Sequence, residues 1–143
     1  MNSAFAQIIF GQDRSFCILE NESFVAVLEK NPLVLGHVVL ISKIFKDDLF
    51  DLPDEDLARA LVFAKLISRG IRNVIPCQKV GLAVLGLETR HAHLHLVPIS
   101  SADDLNFTRP KIAATDEILR DLTLKIRAAL ATEHSAKSDT LSE

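Results

Sequence analysis

Apolar residues along this chain switch between strand-like runs and a helical period, and each switch marks an element. From Phe16 to Glu20 and from Ser23 to Leu28, aromatic and β-branched residues flank Asn21-Glu22, a turn pair, which predicts a β-hairpin. Lys30-Asn31-Pro32 breaks that run, and after Gly36 the segment His37-Val38-Val39-Leu40-Ile41 reads as a short apolar strand carrying one imidazole. Asp51 ahead of Leu52-Pro53-Asp54-Glu55 supplies a cap, an early proline and an acidic first turn, the signs of a helix start. Leu57, Ala60, Leu61, Ala64, Ile67, Ile71 and Val74 then recur at three- and four-residue spacing, so they share a face, and Pro76 stops the pattern. Lys79 to Leu85 predicts a strand, Gly86 to Arg90 a connection, and His91 to Val97 an antiparallel neighbour closed by Pro98. A second amphipathic pattern starts at Thr115-Asp116-Glu117 and uses Ile118, Leu119, Leu122, Ile126 and Leu130. The polar stretch 133–143 offers little to bury and is expected to be a disordered tail. Neither a repeat nor a linker divides residues 1–132, which read as one domain.

At 143 residues, 48% hydrophobic and 24% charged, the chain has the means to bury a core. A net charge of −3 provides no basic stripe for a phosphate backbone, which argues against polymeric nucleic acid but not against a single nucleotide. The start of the chain lacks a basic segment followed by a long apolar core, and no apolar run reaches membrane-spanning length, so a cytoplasmic protein without a membrane partner is expected. Cys17 and Cys77 are far apart and form no C-x-x-C, so both read as buried thiols. With no Trp or Tyr, aromatic contacts must come from the eight Phe residues, most of them expected in the core.

The candidate chemistry lies in His91-Ala92-His93-Leu94-His95. Strand side chains alternate, so three imidazoles share one face while Ala92, Leu94 and Leu96 supply an apolar opposite face. A polar outer face would ordinarily use Lys, Glu and Thr instead. A metal site is a second reading, since His-x-His can place two nitrogens about one ion. It leaves the third histidine unexplained, because the Cα atoms of His91 and His95 lie ~13 Å apart on a strand. The third reading gives each histidine a separate task along an extended substrate. Imidazole is neutral near pH 7 and is an established nucleophile, and a neighbour can hydrogen-bond the oxygens where charge builds.

His91-Ala92-His93-Leu94-His95-Leu96-Val97 resembles the signature of the histidine-triad family, His-φ-His-φ-His-φ-φ with φ apolar. Gly36-His37-Val38-Val39-Leu40-Ile41-Ser42-Lys43 is similar to that family's strand with its upstream histidine, and Phe5-Ala6-Gln7-Ile8-Ile9 to its N-terminal segment. The resemblance implies an α+β fold: a five-stranded antiparallel sheet with a long helix and a C-terminal helix. It further implies a homodimer that joins two sheets into ten strands through the long helix and the strand after it. The implied activity is a nucleotide hydrolase of the phosphoramidase or dinucleoside-polyphosphate type acting on purine nucleotides. A nucleotide-binding regulatory module in which turnover is incidental is the alternative.

By the same resemblance His93 attacks the α-phosphorus to form a nucleotidyl-histidine, His95 contacts the phosphate and assists the leaving group, and His91 and His37 orient the nucleophile. Phe5, Ile8, Val27 and Val39 align with the apolar base pocket. Glu29 stands three positions before Pro32, where the family has an acidic residue that grips the ribose hydroxyls. The chain departs from the family before the triad, where Leu87 replaces a glutamine that touches the phosphates, so leaving-group preference stays open. Glu88 would repel a phosphate if it faced inward, and Arg90 would attract one. Neither cysteine fits the zinc-binding pattern of some relatives, so no metal and no cofactor is expected.

Overall fold

A computed structural model describes residues 4–141. Its elements are α1 (Ala4–Ile9), β1 (Cys17–Glu20), β2 (Phe24–Leu28), β3 (Val38–Ser42), α2 (Asp54–Val74), β4 (Lys79–Ala83), β5 (His93–Ile99) and α3 (Asp116–Leu141), with 3-10 turns at Leu49–Asp51 and Ala102–Leu105. The five strands form one antiparallel sheet in the order β1-β2-β3-β5-β4.

The β1–β2 hairpin closes where expected because Asn21 Oδ1 accepts the N–H groups of Ser23 at 2.8 Å and Phe24 at 2.7 Å. Strands β2 and β3 are buried along their whole length, which explains their unbroken apolar runs. On one face, Phe24, Ala26, Leu40, Leu94 and Leu96 join α2 and α3 in the main core. On the other, Val25, Val27, Val39 and Ile41 pack with Cys17 against Ile8 of α1. The sheet therefore presents its second face to a short helix that leaves the β3–β5 end open for a site.

Several expectations are corrected in detail. Asp51 falls in the 3-10 turn and does not cap α2, which begins after Pro53; Asp48 caps the 3-10 turn through Phe50 N–H at 3.0 Å. Within α2 the buried line is Ala60, Phe63, Ala64, Ile67, Gly70 and Ile71, so Phe63 is core and Leu61 is 67% exposed. In α3 Ile118 is exposed, whereas Leu119, Leu122, Ile126 and Leu130 are buried. Gly70 lets α3 approach, since a Cβ there would lie 2.8 Å from Leu130 Cγ.

Strand β4 ends at Ala83 rather than Leu85, and β5 is displaced two residues along the chain, beginning at His93 and running through Pro98. Proline fits inside β5 because pairing with β3 stops at Leu96, leaving the position beyond with β4 as its sole strand neighbour. The stretch 133–141, expected as a disordered tail, continues α3, as a segment without Pro or Gly can when it extends an existing helix; residues 142–143 lie outside the described residues.

The cysteines and phenylalanines also divide differently. Cys17 is buried but Cys77, in the α2–β4 connection, is partly exposed. Of the Phe residues, Phe16, Phe24 and Phe63 are buried; Phe10, Phe45 and Phe50 are exposed. No helix among the described residues is long and apolar enough to cross a membrane.

Candidate active site

Antiparallel pairing of β3 with β5 sets Val39 opposite His95 and Ile41 opposite His93. His37, two residues before Val39, thereby joins the imidazole-bearing face. His91 lies outside the strand, yet it is held: Ser42 N–H donates to Ala92 O at 3.0 Å and Ala92 N–H to Lys46 O at 2.7 Å. The result is a row of four rings, with His93 and His95 centroids 4.9 Å apart and His37 and His95 5.1 Å apart.

Hydrogen bonds assign the protons. His93 Nδ1 lies 2.6 Å from His91 O, and a carbonyl can only accept, so Nδ1 carries the hydrogen and Nε2 keeps its lone pair. His91 Nε2 likewise donates to Ser42 O at 2.7 Å, and His91 Nδ1 is buried without a hydrogen-bond partner among the described residues. At the other end Leu33 N–H donates to His37 Nδ1 at 3.1 Å. His37 Nε2 therefore holds the proton and donates it to His95 Nδ1 at 2.9 Å, which puts the His95 hydrogen on Nε2. One ring thus offers a nucleophilic nitrogen and the next an N–H donor.

Burial disfavours the charged form of His37, His93 and His95. It lowers His37 to about 3, with repulsion from His95 adding, and His95 to about 4, with repulsion from His93 adding. His93 is also lowered, chiefly by burial. Phe5 meets His93 edge-on at 5.1 Å and His91 at 5.9 Å, Phe45 meets His91 at 5.0 Å, and Phe107 meets His95 at 4.8 Å.

Two cavities meet here. A larger one of about 880 Å³ has His37, His93 and His95 on its wall, together with Glu88 and Lys111. A smaller, mainly apolar one of about 170 Å³ is lined by Phe5, Ile8, Val27 and Val39, with Asp13 and Lys30 among its polar groups. Phe5, Glu29 and Asn31 line both. Glu29 accepts Asn31 N–H at 3.1 Å, and burial raises its carboxyl above the usual range. The four apolar candidates, Glu29 and the histidines are thus contiguous.

Arg90 is placed elsewhere: it pairs with Asp47 at 3.0 Å and lines a third cavity, of about 340 Å³, which His91 and His93 also border. The segment Phe107 to Lys111 lines the larger cavity as well, although it has no periodic pattern and matches no motif that would single it out in the chain. Two cations around Pro110 and a lone Phe are its only signal. Among the described residues no group of three or more His, Cys, Asp or Glu is placed to hold a metal ion.

Residues 11–102 match the HIT domain family. A HIT-like protein of Mycobacterium tuberculosis is 27% identical over 144 residues, covering 97% of this chain and all of the relative. The adenosine 5′-monophosphoramidase of Saccharomyces cerevisiae is 33% identical over 98 residues, covering 66% of this chain and 60% of the relative. Among solved structures, a zinc-bound histidine triad family protein of Mycobacterium smegmatis superposes with a TM-score of 0.78 at 29% identity, covering 95% of this chain and 98% of the other.

Proposed function

The chain belongs to the HIT domain family, and from that membership we propose that it is a nucleotide hydrolase that cleaves a bond to the α-phosphate of a nucleoside phosphoramidate or dinucleoside polyphosphate. The observation that carries the reading is the proton assignment of His93, whose Nδ1–H is tied to a carbonyl and whose Nε2 is left with a lone pair beside an N–H donor from His95. The phosphoramidase activity named for the yeast relative supports the same reaction class.

The base occupies the apolar cavity of Phe5, Ile8, Val27 and Val39, the ribose hydroxyls meet Glu29, and the α-phosphate lies against His93 and His95. In the first step the Nε2 lone pair of His93 forms a bond to phosphorus as the bond to the leaving group breaks, and the leaving group departs with that electron pair. His95 Nε2–H donates to a phosphoryl oxygen as charge builds on it. In the second step water adds to phosphorus and the P–N pair returns to His93. An amine leaves only as its nitrogen takes up the His95 Nε2 proton, which the water restores to His95 in the second step; a phosphate leaves as the anion, and the water's proton then goes to solvent. His91 fixes the nucleophile through its carbonyl, and His37 fixes the tautomer of His95. Glu88 borders the phosphate cavity.

A homodimer is part of the same proposal. Among the described residues edge strand β4 has no partner on its outer side, and Leu61 and Val62, at 67% and 71% exposure, flank an apolar groove of about 610 Å³ that Val80 and Leu82 complete. A second copy there would extend the sheet to ten strands and cover that groove.

The test is release of AMP from adenosine 5′-phosphoramidate and from a diadenosine polyphosphate, with acid-quenched protein weighed for a covalent nucleotidyl group. We expect release and the adduct with the wild type, and neither with His93→Ala. Nucleotide binding without release from any substrate would favour the regulatory alternative.

A further inference from the structure

A phosphate chain brings several negative charges into the larger cavity, and the histidine row does not offset them. The hydrogen bonds give His37 and His95 one proton each and burial disfavours a charge on His93, while the cavity also holds the carboxyl groups of Glu29 and Glu88. Its cationic side chains, Arg109 and Lys111, come from the connection between β5 and α3.

These two differ in their commitments. Arg109 is held by Asp104 at 3.4 Å and by Asp103, at 2.8 Å to its carbonyl and 3.4 Å to its carboxylate. Lys111 makes no ion pair among the described residues. One of its three ammonium hydrogens goes to Phe107 O at 2.9 Å, and the group sits 5.5 Å from the Phe107 ring centroid. That ring is packed on His95 at 4.8 Å and His37 at 6.0 Å. The ammonium is thus anchored at the His95–His37 end of the row, whereas Phe5 and the apolar cavity meet the row at His91 and His93. Its charge acts, after burial and the neighbouring ring, to lower His37 and His95, and it also acts on Glu29, where it opposes the larger effect of burial.

We infer that Lys111 binds the phosphates of the leaving group, so that the site favours substrates whose leaving group is itself a phosphate chain, as in dinucleoside polyphosphates, over those that release an amine. This rests on the hydrolase reading above. An uncommitted ammonium with two free hydrogens, in a cavity about five times the volume of the apolar one, has both the charge and the room for such a chain.

The experiment compares kcat/KM for diadenosine tetraphosphate and adenosine 5′-phosphoramidate in the wild type, Lys111→Ala and Lys111→Arg. Lys111 is exposed, so neither substitution threatens the fold. Lys111→Ala should lose about tenfold or more on the tetraphosphate, mainly through KM, and less than about threefold on the phosphoramidate. Lys111→Arg should recover most of that loss, and the gap should narrow in high salt. Equal losses on both substrates, no loss on either, or a wild type that prefers the phosphoramidate would overturn the inference and leave the hydrolase reading standing. No turnover of either substrate by the wild type would overturn that reading and this inference with it.

Discussion

His37 Nε2 and His95 Nδ1 lie 2.9 Å apart with one proton between them, and Leu33 N–H, donating to the far side of the His37 ring, decides which atom holds it. The order Leu33 to His37 to His95 is therefore a one-way chain of donors. It ends on the Nε2–H of His95, a ring that borders the larger cavity.

Removing the middle of that chain should damage turnover more than binding. His37→Ala lets the His95 ring adopt either tautomer, and kcat should fall by about tenfold to a hundredfold with KM little changed. Steady-state kinetics check this; an unchanged kcat would sink the positioning role.

Acid should loosen the fold before the ordinary carboxylates titrate. His37 and His95 titrate at about 3 and about 4 when folded, against 6.5 for a solvated imidazole, so below pH 6.5 the unfolded chain takes up protons that the folded chain refuses. The stability present above pH 6.5 is lost as pH falls toward 4, with each ring contributing a slope of up to about 1.4 kcal/mol per pH unit. The urea midpoint should drop between pH 7 and pH 5, and less steeply in His37→Ala. A midpoint flat over that range contradicts the assignment.

Activity should tolerate the same acid better than an ordinary histidine would. Because His93 is lowered chiefly by burial, its lone pair survives below the usual imidazole range. The acid limb of kcat/KM should have its midpoint below 6.5, and a midpoint at or above that value would show a solvated nucleophile.

Gly36 has φ +96°, and a Cβ there would sit 2.8 Å from Ile75 Cγ1 and 3.2 Å from Pro98 Cγ. Gly36→Ala should cost about 2 kcal/mol in urea unfolding, combining backbone strain with that clash. A change within about 0.5 kcal/mol would mean that the loop relaxes freely.

An aspartate at Leu61 should separate the copies. In sedimentation or light scattering the wild type should behave as a dimer and Leu61→Asp as a monomer of unchanged helix content. A wild type that is monomeric at micromolar concentration contradicts the proposed interface.

Much of this architecture was legible in the chain because local patterns and packing agree. The Asn21 turn, the apolar runs of β2 and β3 and the three- and four-residue spacing in α2 each answer to short-range physics. Phe63 and Leu61 were harder to sort, since both fall within a wide apolar stripe and only the direction of packing onto α3 decides between them. The end of β5 was misplaced because Pro98 normally stops a ladder, and only the short reach of β3 makes it tolerable there. At the site the alternation of imidazoles was plain, but the proton positions depend on Leu33, Ser42 and the carbonyl of His91, which no periodicity announces. Lys111 was invisible for a related reason: its placement comes from Phe107 folding back on the histidines.

The division between rigid sheet and irregular connections has an evolutionary consequence. His93 and His95 stand on a strand paired on both sides, and His37 adjoins its neighbour; the groups beyond them, Leu87, Glu88 and Lys111, belong to two connections that carry little of the core. Changes in those connections can alter the lining of the larger cavity while the core and the histidine row stay as they are. Descendants of such a chain could diverge in diet without having to reinvent digestion.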